Sequence, residues 1–173
     1  MKEEYLIFLV TFLACLFIRT TYELLKDAGR VDPENKLVFA LIFAVMCALW
    51  ASWFALCPAD PFRGDLSGPA HWSGFVLFIL GMVLAVGGVM QLRGLENIDH
   101  LVTTGLFSKL RHPMYTGFLL WILGWSIYHG ALVSLAFGLF GIANILYWRR
   151  LEETRLLAQY GETYEQYQAT SWF

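Results

Sequence analysis

Five apolar stretches alternate with short polar ones along most of the chain, and their lengths predict helices throughout. Residues 37–57 and 72–92 contain no Asp, Glu, Lys or Arg. At about 1.5 Å per residue, each covers roughly the 30 Å of a bilayer's hydrocarbon core. Residues 113–128 and 131–148 form two further apolar runs separated only by His129 and Gly130, a connection that demands a tight helical hairpin. The first run, residues 5–18, is short for a span; it reaches across if the helix continues through Tyr22 and Arg19 snorkels to the interface. A signal peptide is the competing reading of that run. Against it stand Glu3 and Glu4 ahead of the run, and Arg-Thr-Thr-Tyr rather than a small-residue cleavage site behind it. From Arg149 the pattern turns amphipathic, with Leu156, Leu157, Tyr160, Tyr164 and Tyr167 recurring at helical spacing against Glu152, Arg155, Glu162 and Glu165. This predicts a helix that ends the fifth span, runs out into water and breaks at Gly161.

Composition turns these runs into a membrane protein. The chain of 173 residues is 58% hydrophobic and 15% charged, against roughly 45–50% and about 25% in soluble domains. The expected fold class is therefore an all-α polytopic membrane bundle of about five transmembrane helices with a cytoplasmic C-terminal helix. We read it as a single domain, with three spans in residues 1–92 and the polar motifs in 93–173. The net charge of −2 gives no reason to expect nucleic acid as a partner. Cys15, Cys47 and Cys57 sit in or at the end of apolar runs without metal-ligand spacing, so no metal is expected. Basic residues cluster in alternate connections: Arg19, Lys26, Arg30 and Lys36, then Arg93, Lys109 and Arg111, then Arg149, Arg150 and Arg155, leaving Lys2 and Arg63 for the other side. Retained loops are enriched in Lys and Arg, which predicts an outside N-terminus and a cytoplasmic C-terminus.

Two polar constellations carry candidate chemistry. Pro113 suits the first turn of a helix, which makes His112 the cap and sets Arg111 beside a helix N-terminus. Unpaired N–H groups, a guanidinium and an imidazole together favour a carboxylate or phosphate; interfacial anchoring of Arg111 and His112 above a span is the alternative. Glu152 and Glu153, just beyond the last span, point about 100° apart on a helix, so one is expected to face the polar stretch and the other water. An anion-favouring corner, a cation-favouring carboxylate and aromatic rings on one membrane face suit a zwitterionic amino acid joined to an aromatic base, the chemistry of S-adenosylmethionine. Glycines 81, 87, 88, 117, 124, 138 and 141 read as close helix contacts. Asn144 reads as an interhelical hydrogen bond or as part of a substrate cavity. His71 and His129 receive no role.

The stretch Leu101-Val102, Gly105, Phe107, Arg111-His112-Pro113, Tyr115, Gly117, followed by Glu152-Glu153, Leu156, Tyr160-Gly161, Tyr164 and Tyr167, resembles the isoprenylcysteine carboxyl methyltransferase family and its phospholipid N-methyltransferase relatives. The resemblance covers about the last 75 residues. It implies a membrane methyltransferase whose S-adenosylmethionine is wrapped by the polar stretch and the tail, with a lateral opening for a lipid-like or prenylcysteine-like acceptor among the membrane lipids. It further implies cofactor binding by His112, Pro113, Met114 and Tyr115, with Phe107 in place of a tyrosine and Arg111 alongside. Leu101 and Val102 match the end of a His-x-Leu-Val segment in which Asp99 takes the histidine's place and His100 lies one residue late. Gln91 matches a cofactor-contacting glutamine, Glu152 the carboxylate that holds the cofactor, and Glu153 its support. Where enzymes acting on prenylated cysteine carry an acceptor-binding arginine, this sequence has Trp148, and Arg149 is the substitute. A carboxylate acceptor is already ionised at neutral pH and needs no general base. An amine acceptor would need one, for which His100, Glu153 and Tyr115 are equal candidates. Two other functions compete: a reductase related to membrane sterol reductases, and a non-enzymatic bundle that binds a partner or holds haem between His100 and His112.

Overall fold

The computed structural model describes residues 3–92 and 101–173. Among them run six α-helices: α1 (Glu3–Asp27), α2 (Lys36–Leu56), α3 (Gly68–Leu92), α4 (Pro113–His129), α5 (Leu132–Tyr160) and α6 (Glu162–Thr170). Short 3₁₀ turns lie at Cys57–Ala59 and Gly105–Ser108. The first helix continues well past the apolar run, through Arg19 and Tyr22 to Asp27. Four of the helices, α1, α2 with its 3₁₀ extension, α3 and α5, are long and apolar enough to cross a membrane. The remaining expected span, α4, has 17 residues, which at about 1.5 Å per residue falls at the short end of the spanning range.

Local chemistry sets the helix ends. Asn35 caps α2, its side-chain oxygen accepting from the backbone N–H of Leu37 at 2.9 Å and Val38 at 3.4 Å. The start of α5 follows Ala131, which has no capping side chain, so the cap comes from another loop. Asp60, 6% exposed, accepts from the Ser134 N–H at 2.6 Å and from the Phe62 N–H at 2.8 Å. Between α4 and α5, Gly130 takes the left-handed conformation and its carbonyl accepts from the Gly64 N–H at 2.8 Å. Gly161, also at positive φ, ends α5 and starts α6 at the predicted break.

The helices form two tightly joined pairs that meet unequally. Helices α3 and α4 pack backbone against backbone: a Cβ on Gly81 would lie 2.6 Å from the Gly117 carbonyl oxygen, and one on Gly124 would lie 2.6 Å from the Gly74 carbonyl oxygen. Helices α1 and α2 form the second pair, while α2 and α3 barely touch. The core fills the space where α1, α2, α4 and α5 converge. Phe12, Leu16, Trp53, Ile122, Ile145 and Trp148 are almost fully buried there, with the rings of Phe12 and Trp53 centred 5.0 Å apart. Asn144 belongs to this framework: its side-chain oxygen accepts from Thr20 Oγ1 at 3.0 Å, and Thr20 in turn accepts from Trp148 Nε1 at 2.9 Å. The loose seam between α2 and α3 leaves room for a cavity.

Candidate active site

A cavity of about 550 Å³ lies at one end of the bundle, bounded by every long helix and by the segment that follows residue 100. That volume falls within the usual range for small-ligand sites, roughly 300–1,000 Å³. Its apolar wall comes from α2 and α3, including Phe43, Met46, Val86 and Met90. Phe43, Val86 and Met90 keep about half or more of their surface exposed, so this wall is open rather than sealed.

The polar end is built by the segment 101–112 folding against α5 and α6. Gln91, at the end of α3, anchors that segment. Its amide nitrogen donates to the Thr104 carbonyl at 2.6 Å and its oxygen accepts from the Leu106 N–H at 2.9 Å. The amide lies so close to Gly105, at φ +59, that a Cβ there would displace it from the loop. Tyr167 on α6 donates its hydroxyl to the Phe107 carbonyl at 2.5 Å. The backbone of Lys109 and Arg111 pairs with Trp172 through bonds of 2.7 and 2.8 Å. The tail therefore folds back over the loop instead of running into water, burying Tyr164 and Tyr167.

Glu152 and Glu153 diverge as their helical spacing requires, but neither simply faces water. Glu152 lines the cavity and accepts from the Tyr115 hydroxyl at 2.7 Å. Glu153 turns away into a polar knot. There it accepts from Arg111 Nε at 3.2 Å, lies 3.3 Å from His112 Nε2 and 3.5 Å from Arg149 Nη2. Arg111 also donates to the Ser171 carbonyl at 2.6 Å. The anion attracted to the corner at the head of α4 is thus this chain's own carboxylate.

Of the residues singled out in the sequence, Leu101, Val102, Phe107, Arg111, His112, Pro113, Met114, Tyr115 and Glu152 line the cavity. Gln91 and Glu153 stand one layer behind it, bracing the loop and the arginine. Arg149 lies outside the lining, with its guanidinium 4.3 Å from the centre of the Phe173 ring. His100 falls outside the described residues. Sequence reading passed over several lining groups because each also fits a simpler pattern. Tyr164 reads as part of an amphipathic stripe, yet its buried hydroxyl has no partner among the described residues; nor has the indole N–H of Trp121. Burial, reinforced by the nearby Glu153 carboxylate, raises the Tyr164 phenol above the ordinary tyrosine range and keeps it a neutral donor. Arg19 and Glu23 of α1 and Arg155 of α5 also face the cavity, charges that hydropathy alone assigns to loops and interfaces.

A family profile for phospholipid methyltransferases matches residues 69–163, which cover α3, α4, α5 and the cavity's polar end. The Schizosaccharomyces pombe protein named Protein-S-isoprenylcysteine O-methyltransferase is 35% identical over 79 residues, 42% of this chain and 31% of that protein's own length. No solved structure matches. The membrane-spanning helices, the sequence motifs and the profile match agree: the chain belongs to the phospholipid methyltransferase family.

Proposed function

We propose that this protein is an S-adenosylmethionine-dependent membrane methyltransferase that methylates the carboxylate of a lipid-like or prenylcysteine-like acceptor. The carrying observation is Glu152: a carboxylate fixed by Tyr115 in a cavity whose opposite wall is apolar. The donor set suits the cofactor. Glu152 matches its ammonium group, the rings of Phe107 and Tyr164 suit an adenine face, and the Tyr164 hydroxyl and Trp121 N–H, without partners among the described residues, are donors suited to its acceptors. His112, Pro113, Met114 and Tyr115 form the floor, with Leu101 and Val102 beside them. Gln91, Glu153 and Arg111 hold that floor in shape. When bound, the cofactor supplies an electrophilic methyl on a sulfonium, so that an acceptor O–C bond forms as the C–S bond breaks and the electron pair leaves with sulfur.

The protein's own work is positioning and exclusion of water. An ionised acceptor carboxylate needs no general base, and we assign none. The exposed apolar wall along α2 and α3 supports entry of the acceptor from the lipid. In this reading residues 1–92 contribute most of the acceptor wall, the C-terminal part holds the cofactor, and the distribution of basic residues favours a cytoplasmic C-terminus.

Titration calorimetry of S-adenosylhomocysteine into the detergent-purified full chain tests the reading. Saturable binding is expected, weakened about tenfold or more by Glu152→Gln and unchanged by Glu162→Gln in the exposed first turn of α6. Folded protein that binds no S-adenosylhomocysteine, or a Glu152→Gln variant that binds like the wild type, overturns it.

A further inference from the structure

The apolar part of the cavity has a definite end. Its lining reaches Trp50 on α2, Ala85 on α3 and Trp121 on α4, and no residue of α2 after Trp50, of α3 before Ala85 or of α4 after Trp121 borders it. Rings close it there. The indole of Trp50 meets Trp121 edge to face with centres 4.5 Å apart, and lies 4.8 Å from the ring of Phe118. One turn further along, Phe54 and Phe78 bridge α2 and α3 with ring centres 5.7 Å apart. Trp125 packs 4.7 Å from Phe78 and donates its indole N–H to the Phe54 carbonyl at 3.0 Å. The seam whose backbones barely meet is therefore plugged by aromatic rings beyond the cavity and open beside it, where Phe43 and Met90 stay exposed.

Depth and polarity together fix how an amphiphile can lie here. The lining on α2 advances from Phe39 to Trp50 and that on α3 from Leu92 back to Ala85, about 16 Å and about 10 Å of helix. This is between a third and a half of the roughly 30 Å hydrocarbon core. Charged side chains, Glu152 among them, line the other end of the cavity, whereas Trp50, Ala85, Phe118 and Trp121 present apolar surface. A polar head belongs at the first end and an apolar chain at the second. A lipid-borne chain gains little hydrophobic energy on leaving the bilayer, so its affinity comes from close packing against such rings.

We propose that Trp50, wedged against Phe118 and Trp121, is the stop for the acceptor's apolar chain and sets the longest chain that lies wholly inside the cavity. This rests on the methyltransferase reading above and deepens it by assigning chain-length selection to α2. Carbons beyond the stop turn out through the open side of the seam into lipid, where they are as well packed as in the free acceptor, and add no affinity. Trp50 is a specificity residue with no part in holding the cofactor.

A series of chain lengths separates a stop from a wall. N-acetyl-S-geranyl-, S-farnesyl- and S-geranylgeranyl-cysteine are titrated calorimetrically into the detergent-purified full chain, with S-adenosylhomocysteine binding measured on the same samples. Variant and wild type are compared at each length in one detergent, so that partition of the probes into micelles cancels. Trp50→Ala is expected to raise geranylgeranyl affinity relative to geranyl by about fivefold or more over the wild-type ratio. Phe43→Ala, on the side wall, is expected to leave that ratio within about twofold, and both variants to keep S-adenosylhomocysteine affinity within about threefold. A Trp50→Ala variant or, should it not fold, a Trp50→Leu variant with the wild-type ratio overturns the proposal. So does a Phe43→Ala variant that shifts the ratio as far, or a wild type that binds none of the three probes. Failure of the wild type to bind S-adenosylhomocysteine refutes the methyltransferase reading instead, whatever the series shows.

Discussion

Glu152 and Glu153 are adjacent on one helix, yet they belong to regions built for different purposes. Around Glu153 every charge is answered from within the chain: Arg111, His112 and Arg149 converge on it, and the tail's carbonyls take up what remains of Arg111. Around Glu152 and Glu23 the charges border a cavity, with Tyr115 steadying one carboxylate and two arginines the other. Closure in the first region fixes the loop and tail as one wall. Openness in the second leaves binding energy for a ligand. The difference teaches that a carboxylate's role follows from which face of α5 carries it, since a rotation of about 100° moves a side chain from the sealed knot to the cavity.

Removing Glu153 should affect stability more than binding. Glu153→Gln leaves three basic groups facing a neutral amide. Breaking a buried charged pair costs about 3–5 kcal/mol, and the partial exposure of Glu153 reduces this to about 2–3 kcal/mol. For a chain of this size that corresponds to a fall of roughly 5–10 °C in Tm, measurable by thermal unfolding in detergent. S-adenosylhomocysteine affinity below that transition should change little. A Tm equal to the wild type's would mean that the knot does not hold the tail and would dissolve the contrast between the two regions.

Tyr115→Phe should show the opposite pattern, with a smaller size. The ring stays and the hydroxyl that fixes Glu152 goes, a loss of about 1–1.5 kcal/mol of positioning. Calorimetry should report S-adenosylhomocysteine binding weakened about five- to tenfold, with Tm within about 2 °C of the wild type. If Tm falls while affinity holds, Tyr115 belongs with the structural residues and the boundary between the regions must be redrawn.

How much of this was legible beforehand depended on range. The unbroken apolar runs of α2 and α3, the His129-Gly130 hairpin and the break at Gly161 are local signals, and the helices follow them closely. The divergence of Glu152 and Glu153 is local too, because it needs only the helical repeat. The partners that those carboxylates found are not local. Arg111 draws on Ser171, 60 residues later, and Arg155 on Glu23, 132 residues earlier, separations at which spacing carries no information. Arg19 illustrates the limit most clearly. Hydropathy reads it as an interfacial residue that must snorkel; its pairing with Glu23 one turn on is local, but only the packing of α1 against α5 shows that the pair is buried and that the Trp148 ring lies beneath the guanidinium. The backbone contact of α3 with α4 was foreshadowed by glycines in both runs, whereas the looseness of α2 against α3, which leaves the cavity its wall, had no sequence mark.

Arg149 offers the finest cut between the two regions, since the resemblance of the C-terminal motifs nominates it as the acceptor's cation while the fold seats it beside Glu153. Its contacts are modest: an end-on approach of 3.5 Å to Glu153 within one helix turn, and a stack on the Phe173 ring. Together such contacts contribute about 1 kcal/mol, so Arg149→Gln should lower Tm by only about 2–4 °C. S-adenosylhomocysteine affinity should stay within about twofold of the wild type's, because Arg149 lies outside the cavity lining. A fall in affinity as large as the one expected for Glu152→Gln, with Tm unchanged, would make the knot around Glu153 part of the site rather than its support.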